Sequence, residues 1–213
     1  MASLDHIVIG AATLGEGADF VEALLGLRPG PGGAHEGAGT HNLLLGLGEG
    51  AYLEVIAPDP GQPAPARPRL FGLDDAALLR RLAARPALIA WVARTEGLDA
   101  LAARLGPGGL GPARPMSRGG LSWRFASPPT DADLGGLLPS TIEWVDPARP
   151  PSLPESGCRL LGLEGGHPEP KILAAALAQR GLSQAMRVGH APVPRLAVTL
   201  TGPDGRPCSL AST

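Results

Sequence analysis

The sequence predicts an α+β protein in which one order of elements, a strand, a helix and then two or three strands, occurs three times. Three observations support this class. Short apolar runs alternate with amphipathic segments, two Pro-rich stretches interrupt the chain, and each unit spans roughly 55 residues, the length of one supersecondary unit. The units differ in sequence, and only their element order recurs.

The first unit is predicted within residues 1–60. Its first segment, residues 4–10, is apolar and β-branched, which indicates a strand. Residues 15–25 place apolar side chains on one helical face and are followed by Gly26, a typical C-cap. After a Gly-rich stretch of no clear type, two apolar runs separated by a Gly-Glu-Gly turn indicate a hairpin over residues 42–57.

A linker and a helix are predicted over residues 61–87. Five prolines within residues 58–69 remove backbone donors and fix φ, so no regular element is expected there. Residues 74–84 then have helical periodicity, and Asp74 is the predicted N-cap.

The second unit, residues 88–150, and the third, residues 151–213, repeat the order, and the third is expected to pack on the other two. A Pro-rich break over residues 147–154 separates them. The predicted helices are residues 96–105 and 168–180. The predicted strands are residues 88–94, 112–118, 121–126 and 140–146 in the second unit and residues 158–163, 186–190, 195–200 and 207–211 in the third.

Composition and charge exclude several classes of protein. The net charge is −2, with 18 Lys and Arg against 20 Asp and Glu, so neither nucleic acid nor an anionic membrane is expected as a partner. No apolar run approaches the roughly 20 residues needed to cross a bilayer, and the N-terminal segment has no basic region typical of a signal peptide. Two cysteines are too few for a disulfide framework. The sequence therefore predicts a cytoplasmic globular protein.

Several segments, taken in order, resemble the glyoxalase-like domain proteins of the vicinal oxygen chelate (glyoxalase/bleomycin resistance/dioxygenase) superfamily. They are DHIVIGAATLGEGADFVEALLGL, GTHNLLLGLGEGAYLEVIAPDP, LIAWVAR, RGGLSWRFA, LLPSTIEWVDPARPP, GHPEP and VGHAPVPRLAVTLTGPDG. The resemblance implies repeated βαβββ modules whose mixed sheet curls around a cup, with helices on the convex side. For the enzymes of the superfamily it implies a divalent metal in the cup, held by the first and last strands of each module. Other members bind drugs without a metal.

His6 and Glu54 are the first candidate pair. Strand alternation places His6 with Val8, and Glu54 with Tyr52, on the faces that would line the cup. A carboxylate within an apolar strand is costly unless it is paired or binds a metal. The resemblance implies that both residues are metal ligands, and Glu54 is also a candidate catalytic proton carrier. The alternatives are a histidine that only forms hydrogen bonds and an ion pair between Glu54 and an arginine.

Glu143 occupies the corresponding place on the last strand of the second unit. Alternation groups it with Thr141 and Val145, and we expect it in the cup as a second catalytic carboxylate and a third metal ligand. The position that matches His6 is Ala90, so the family's fourth ligand is missing. One imidazole and two carboxylates favour Mn²⁺ or Mg²⁺ over Zn²⁺, while Ni²⁺, Fe²⁺ and no metal at all remain alternatives.

Three further residues are predicted to contact substrate. His41 begins a strand of the first unit and is expected beside the His6 and Glu54 pair. His35 lies in a Gly-rich segment that could close over the cup. Arg124 alternates with two aromatic residues, so it is expected to face the cup, where it could bind a substrate carboxylate or neutralise Glu143.

Three functions follow as hypotheses. The first is a metal-assisted lyase, isomerase or dioxygenase that acts on a small oxygenated molecule. The second is a metal-free protein of the bleomycin-resistance type that binds or sequesters a small molecule. The third is a structural domain whose third unit pairs across a homodimer.

Overall fold

The computed structural model describes residues 2–145 and 153–212, which form four α-helices, twelve β-strands and one short 3₁₀ turn, Leu70–Gly72. The helices are α1 (Leu14–Leu25), α2 (Ala76–Ala84), α3 (Leu98–Leu105) and α4 (Pro170–Gln179). The strands are β1 (Ser3–Gly10), β2 (Gly30–His35), β3 (Thr40–Gly46), β4 (Tyr52–Pro58), β5 (Ala87–Arg94), β6 (Arg114–Arg118), β7 (Leu121–Ala126), β8 (Ser140–Trp144), β9 (Arg159–His167), β10 (Arg187–His190), β11 (Arg195–Thr201) and β12 (Pro207–Ala211). The Pro-rich break predicted over residues 147–154 lies mostly outside the described residues.

Eight strands form one curled mixed sheet in the order β2-β3-β4-β1-β5-β8-β7-β6. β1 and β5 pair antiparallel at its centre, and each pairs in parallel with the last strand of its own module. The two edges approach each other, since Ser117 Oγ donates to Glu36 Oε2 at 2.9 Å and Glu36 N donates to Ser117 O at 3.3 Å. The sheet is therefore a nearly closed cup, which confirms the predicted fold class.

Residues alternate along β1 between two apolar cores. Ile7 and Ile9 are fully buried in the convex core, where Val21 of α1 packs. Val8 points the other way and packs inside the cup with Trp123. Burial of these side chains supplies the main driving force for folding, and it also fixes which face of each strand lines the cup.

The third unit forms a second, four-stranded sheet in the order β10-β9-β11-β12. The first strand of this unit, β9, lies between two other strands of its sheet. In the first two units, ordered β2-β3-β4-β1 and β6-β7-β8-β5, the first strands β1 and β5 instead lie at the end of their own four strands. The element order thus recurs, but the strand order does not. Leu163, Leu173 and Val198 of this unit share the convex core with Ile7 of β1, so the unit packs on the outside of the cup. None of the described helices is both long and apolar enough to cross a membrane.

Asp75, not the predicted Asp74, is the N-cap of α2. Its Oδ1 accepts hydrogen bonds from Ala77 N at 2.6 Å and Leu78 N at 3.1 Å. The Asp74 carboxylate instead accepts from the backbone N–H of Arg69 at 2.6 Å, so it holds the end of the linker rather than the helix.

Candidate functional site

A β-bulge in β1 brings two ionisable side chains together. The pairing of β1 with β5 skips from Leu4 to His6, so Asp5 has no partner there. A bulge re-aims the side chains next to it, and Asp5 Oδ1 lies 2.6 Å from His6 Nδ1. On the other ring nitrogen, His6 Nε2 lies 3.4 Å from Glu54 Oε2 of β4. The imidazole is thus held between two buried carboxylates.

The charges of these groups depend on one another. Burial lowers the pKa of His6, but the hydrogen bonds and charges of Asp5 and Glu54 outweigh it and raise the pKa to about 9. Burial likewise raises the pKa of Glu54, but the imidazolium of His6, with His35 and Asn42, lowers it to about 2. At neutral pH the site therefore holds an imidazolium beside an ionised Glu54.

Asn42 and His35 extend this polar wall. Asn42 Nδ2 donates to Glu54 Oε1 at 2.5 Å and to His35 Nε2 at 3.1 Å, while its Oδ1 accepts from Gly33 N at 3.1 Å. Burial lowers the pKa of His35 to about 4. The neutral ring donates from Nδ1 to Thr40 Oγ1 at 2.9 Å. A chain of polar contacts therefore runs from β1 through β4 and β3 to β2, with an ion pair between His6 and Glu54 and hydrogen bonds along the rest.

The facing wall is apolar and comes mainly from the second module. Trp144 connects it to the polar wall, since its Nε1 donates to Asp5 Oδ2 at 3.0 Å, and the Trp123 ring meets His35 edge-on with 5.9 Å between centroids. On the polar side, the Tyr52 ring stacks on His6 with 4.5 Å between centroids. The space between the walls is about 20 Å³, enough for about one water molecule. The apolar side chains that line it are Leu70, Phe71, Trp123, Phe125, Ile142 and Trp144.

Phe71 lines this space from a strained turn. Its backbone has φ 55° and ψ 29°, in the left-handed region, which costs about 1–3 kcal/mol for such a residue. Its ring meets Phe125 edge-on, with 5.8 Å between centroids. Leu70 beside it also borders a larger outer cleft of about 220 Å³. The turn thus separates the cup from the outer cleft.

Arg118, the last residue of β6, lines the cup and is only 5% exposed. Its guanidinium lies 6.0 Å from the centre of the Trp123 ring. A side chain on Gly33 would place its Cβ 3.1 Å from Arg118 Cγ, so the glycine leaves room for the arginine stem. The cup therefore contains a buried guanidinium opposite its carboxylates.

Residues 4–181 match the profile of the family described as the Glyoxalase-like domain. The chain belongs to this family. The match covers most of the chain, so the resemblance to glyoxalase-like domain proteins predicted from the sequence is confirmed.

Solved structures show the same fold at low sequence identity. A hypothetical protein from Staphylococcus aureus is 13% identical, with a TM-score of 0.60 over 98% of this chain and 85% of its own. A methylmalonyl-CoA epimerase in complex with methylmalonyl-CoA and NH₄⁺ is 18% identical, with a TM-score of 0.50 over 70% of this chain and 99% of its own. No curated protein sequence matches the chain significantly.

The predicted place of Glu143 in the cup of this glyoxalase-like protein is wrong. Ile142 and Trp144 face the cup, so Glu143 points to the convex side. There its carboxylate accepts from Leu98 N, the first residue of α3, at 3.1 Å. Gly97, the N-cap, provides no side-chain bond, so Glu143 satisfies a helix N-terminus from a neighbouring strand.

Arg124 also lies on the convex side, against prediction. Its guanidinium donates to Glu143 Oε2 at 2.9 Å and pairs with Asp99. Arg124 and Glu143 face each other across β7 and β8, so they must share a face. This is the neutralising pair that the sequence left open as an alternative, placed outside the cup.

Of the two remaining predicted substrate contacts, His35 lines the cup and His41 does not. His41 does not line the cup but lies on the other face of β3, where its Nδ1 is 3.7 Å from Asp59 Oδ1. His35, expected in a mobile loop, ends β2 and is 2% exposed within the cup.

Sequence reasoning missed three polar residues of the site: Asp5, Asn42 and Arg118. Simple strand alternation places Asp5 with Ile7 on the helix side, because alternation ignores the bulge. Asn42 follows His41 at the start of its strand, where an asparagine is typical of a turn, although it alternates with Leu43 within an apolar strand. Arg118 carries a weaker signal, a basic residue directly before the Gly119-Gly120 turn.

The residues of the cup do not fit the family's divalent metal. In the described part of the chain, no group of three or more His, Cys, Asp and Glu side chains is placed to hold an ion. Glu143 lies on the opposite face of the sheet, and the second module offers Ile142 and Trp144 in its place.

Proposed function

We propose that this protein binds a small oxygenated molecule in its cup and recognises it with its own side chains, without a divalent metal. One observation carries the proposal: a continuous buried polar wall, from Asp5 through His6 and Glu54 to Asn42, faces an aromatic wall across the cup. Binding sites for small molecules typically combine a mostly apolar lining with a few converging polar groups.

The polar wall has room for one ligand oxygen. His6 Nε2 and Glu54 Oε2 are 3.4 Å apart, longer than a strong charge-assisted hydrogen bond of about 2.8 Å. A ligand hydroxyl that enters beside them could accept from the imidazolium and donate to the carboxylate. The ring of Tyr52, stacked on His6, keeps the imidazole in that orientation.

The aromatic wall would receive the body of the ligand. Trp123 and Trp144 are 5.3 Å apart between ring centroids and line the same space. A planar ligand stacks on such rings. Because the free space is about 20 Å³, a larger ligand requires the Phe71 turn to move away.

A second candidate is acid–base catalysis in the lyase or isomerase class. Asp5 holds His6 Nδ1 at 2.6 Å, which leaves Nε2 to donate a proton to a bound oxygen, and Glu54 adjoins as a base. The two candidates share the same binding step, and product formation from the bound molecule would distinguish the second.

Binding can be tested with the three tryptophans as reporters. In NMR spectra of protein labelled with ¹⁵N-tryptophan, benzyl alcohol should saturably shift the indole N–H signals of Trp123 and Trp144. The signal of Trp91, whose indole N–H donates to Leu137 O outside the cup, should not move. Toluene, which lacks the oxygen, should bind more weakly. Glu54→Gln should weaken benzyl alcohol about tenfold, whereas Glu143→Gln on the convex face should not. No shift, or equal shifts of all three signals, would refute binding in the cup.

A further inference from the structure

We propose that Arg118 is a specificity-determining residue and that the ligand of the cup carries a carboxylate, which the Arg118 guanidinium binds. This inference rests on the proposed binding function and names the chemical class of the ligand.

The first observation is that Arg118 is buried without an ionic partner. It is 5% exposed. The ion pairs of the cup join His6 and His35 to carboxylates, and within residues 2–145 and 153–212 no carboxylate lies within 4 Å of the Arg118 guanidinium. Buried arginines are normally paired, because an unpaired buried charge is costly.

The second observation is that the Arg118 side chain lines the free space of the cup. Across the described residues, Arg180 Nε is the one side-chain nitrogen or oxygen that is sealed from solvent and lacks a hydrogen-bond partner. The nitrogens of Arg118 do not belong to this class, so a ligand in the cup can contact the guanidinium.

The surroundings of Arg118 hold the guanidinium in place. Gly33 makes room for its stem, and the Trp123 ring lies 6.0 Å below its charged group, a distance typical of cation–π contact. A guanidinium held in a fixed orientation can bind a planar carboxylate through two parallel hydrogen bonds.

A carboxylate fits these surroundings better than a phosphate, because the side chain of Glu54 also lines the cup and that of Asp5 lies against His6. A carboxylate adds one negative charge beside the guanidinium, whereas a phosphate would add up to two near the same acidic groups. A carboxylate attached to a planar body would match both Arg118 and the aromatic wall.

The test compares benzoate with benzamide, its neutral isostere, at constant ionic strength and pH 7, with the indole signals of Trp123 and Trp144 as the readout and Trp91 as the internal control. We expect benzoate to bind about tenfold or more tightly than benzamide. Arg118→Met should remove that preference, Arg118→Lys should retain part of it, and Arg187→Met on the exposed third unit should keep it all. Inorganic phosphate should not compete with benzoate.

The outcomes separate this inference from the proposed function. If benzamide binds as tightly as benzoate, or if Arg118→Met keeps the preference, the carboxylate assignment is wrong although the cup still binds small molecules. If neither probe nor benzyl alcohol shifts Trp123 and Trp144, both proposals fail. Competition by phosphate would overturn the carboxylate class. Should Arg118→Met not fold, the wild-type and Arg118→Lys comparisons decide.

Stability gives an independent readout. Without a ligand, Arg118→Met removes an unpaired buried charge and should raise the melting temperature, because a buried charge is often replaced favourably by an apolar side chain. A lower melting temperature together with unchanged benzoate affinity would mean that Arg118 only balances the carboxylates, and the inference would be wrong.

Discussion

The two halves of the cup have the same element order and opposite chemistry. In the first module, β1 and β4 present His6 and Glu54, and a network of hydrogen bonds satisfies them. In the second module, β5 presents Val92 and β8 presents Ile142 and Trp144, and the carboxylate of Glu143 faces outward to α3. A repeated backbone therefore does not imply a repeated site. Before metal ligands are inferred from the symmetry of two modules, it must be known which side chains of each strand face the cup in both modules.

The largest effect is expected from removal of the buried carboxylate. Glu54→Leu leaves the His6 imidazolium and the Asn42 amide without their partner, and breaking a buried ion pair in this way costs about 4 kcal/mol. Urea unfolding would measure the loss. Glu143→Leu on the outer face, where the carboxylate is only partly buried, should cost clearly less. Equal losses would contradict the contrast between the two halves.

The polar half should also control the response to pH. The pKa of His6 is about 9 in the folded protein and about 6.5 when unfolded, so its stabilising contribution is complete below pH 6.5 and is lost as the pH rises to about 9. A difference of about 2.5 pKa units corresponds to about 3 kcal/mol. Chemical denaturation between pH 6 and 10 would show this loss.

His6→Gln provides the control for the pH profile. Without the imidazole, the alkaline decline of the unfolding free energy should become much shallower. At the acid end, the pKa of Glu54 near 2 predicts a further loss as the pH falls from about 4.5 towards 2. An alkaline decline that is unchanged in His6→Gln would assign it to another group.

Trp144 links the two halves, and its removal should have a smaller effect. Trp144→Phe deletes the donor to Asp5 and should cost about 2 kcal/mol, as is typical of a hydrogen bond to a charged group. A double-mutant cycle with Asp5→Ala separates this bond from packing, because Trp144→Phe should cost clearly less once its acceptor is absent. Equal losses for Trp144→Phe in both backgrounds, measured by urea unfolding, would show that Trp144 contributes by packing alone.

Divalent metals should have the smallest effect. We expect Zn²⁺, Ni²⁺, Mn²⁺ and Mg²⁺ to leave the melting temperature of chelator-treated protein unchanged, because the second half of the cup offers no ligand. Differential scanning fluorimetry measures this directly. A rise in melting temperature that saturates at one equivalent of metal and disappears in Glu54→Gln would show that the cup does bind a divalent metal.

The sequence could predict a site residue only where the pattern of apolar side chains shows which face of its strand lines the cup. On β1 and β4, isoleucine, leucine and valine mark the convex face clearly, so His6 and Glu54 were placed side by side. On β8, either face could be the buried one, since Thr141 and Val145 alternate with Ile142 and Trp144. The sequence pattern therefore does not show which way Glu143 points, and the prediction that it faces the cup is wrong.

The rest of the site depends on features that the sequence does not record. The bulge at Asp5 arises from the pairing of β1 with β5, which only the folded sheet defines. Arg118 faces the cup because β6 pairs with β7 across the Gly119-Gly120 turn, and a five-residue strand has too few apolar positions to show its phase. The element order, by contrast, was predictable almost throughout, since it rests on local periodicity and turn residues.

The closure of the sheet within one chain has a consequence for how binding should be measured. Both walls of the cup, and the contact between Glu36 and Ser117 that closes it, come from the same polypeptide. These walls need no residue from a second copy. The dissociation constant for any occupant should therefore stay the same when the protein is diluted a thousandfold, whatever assembly the protein forms at high concentration.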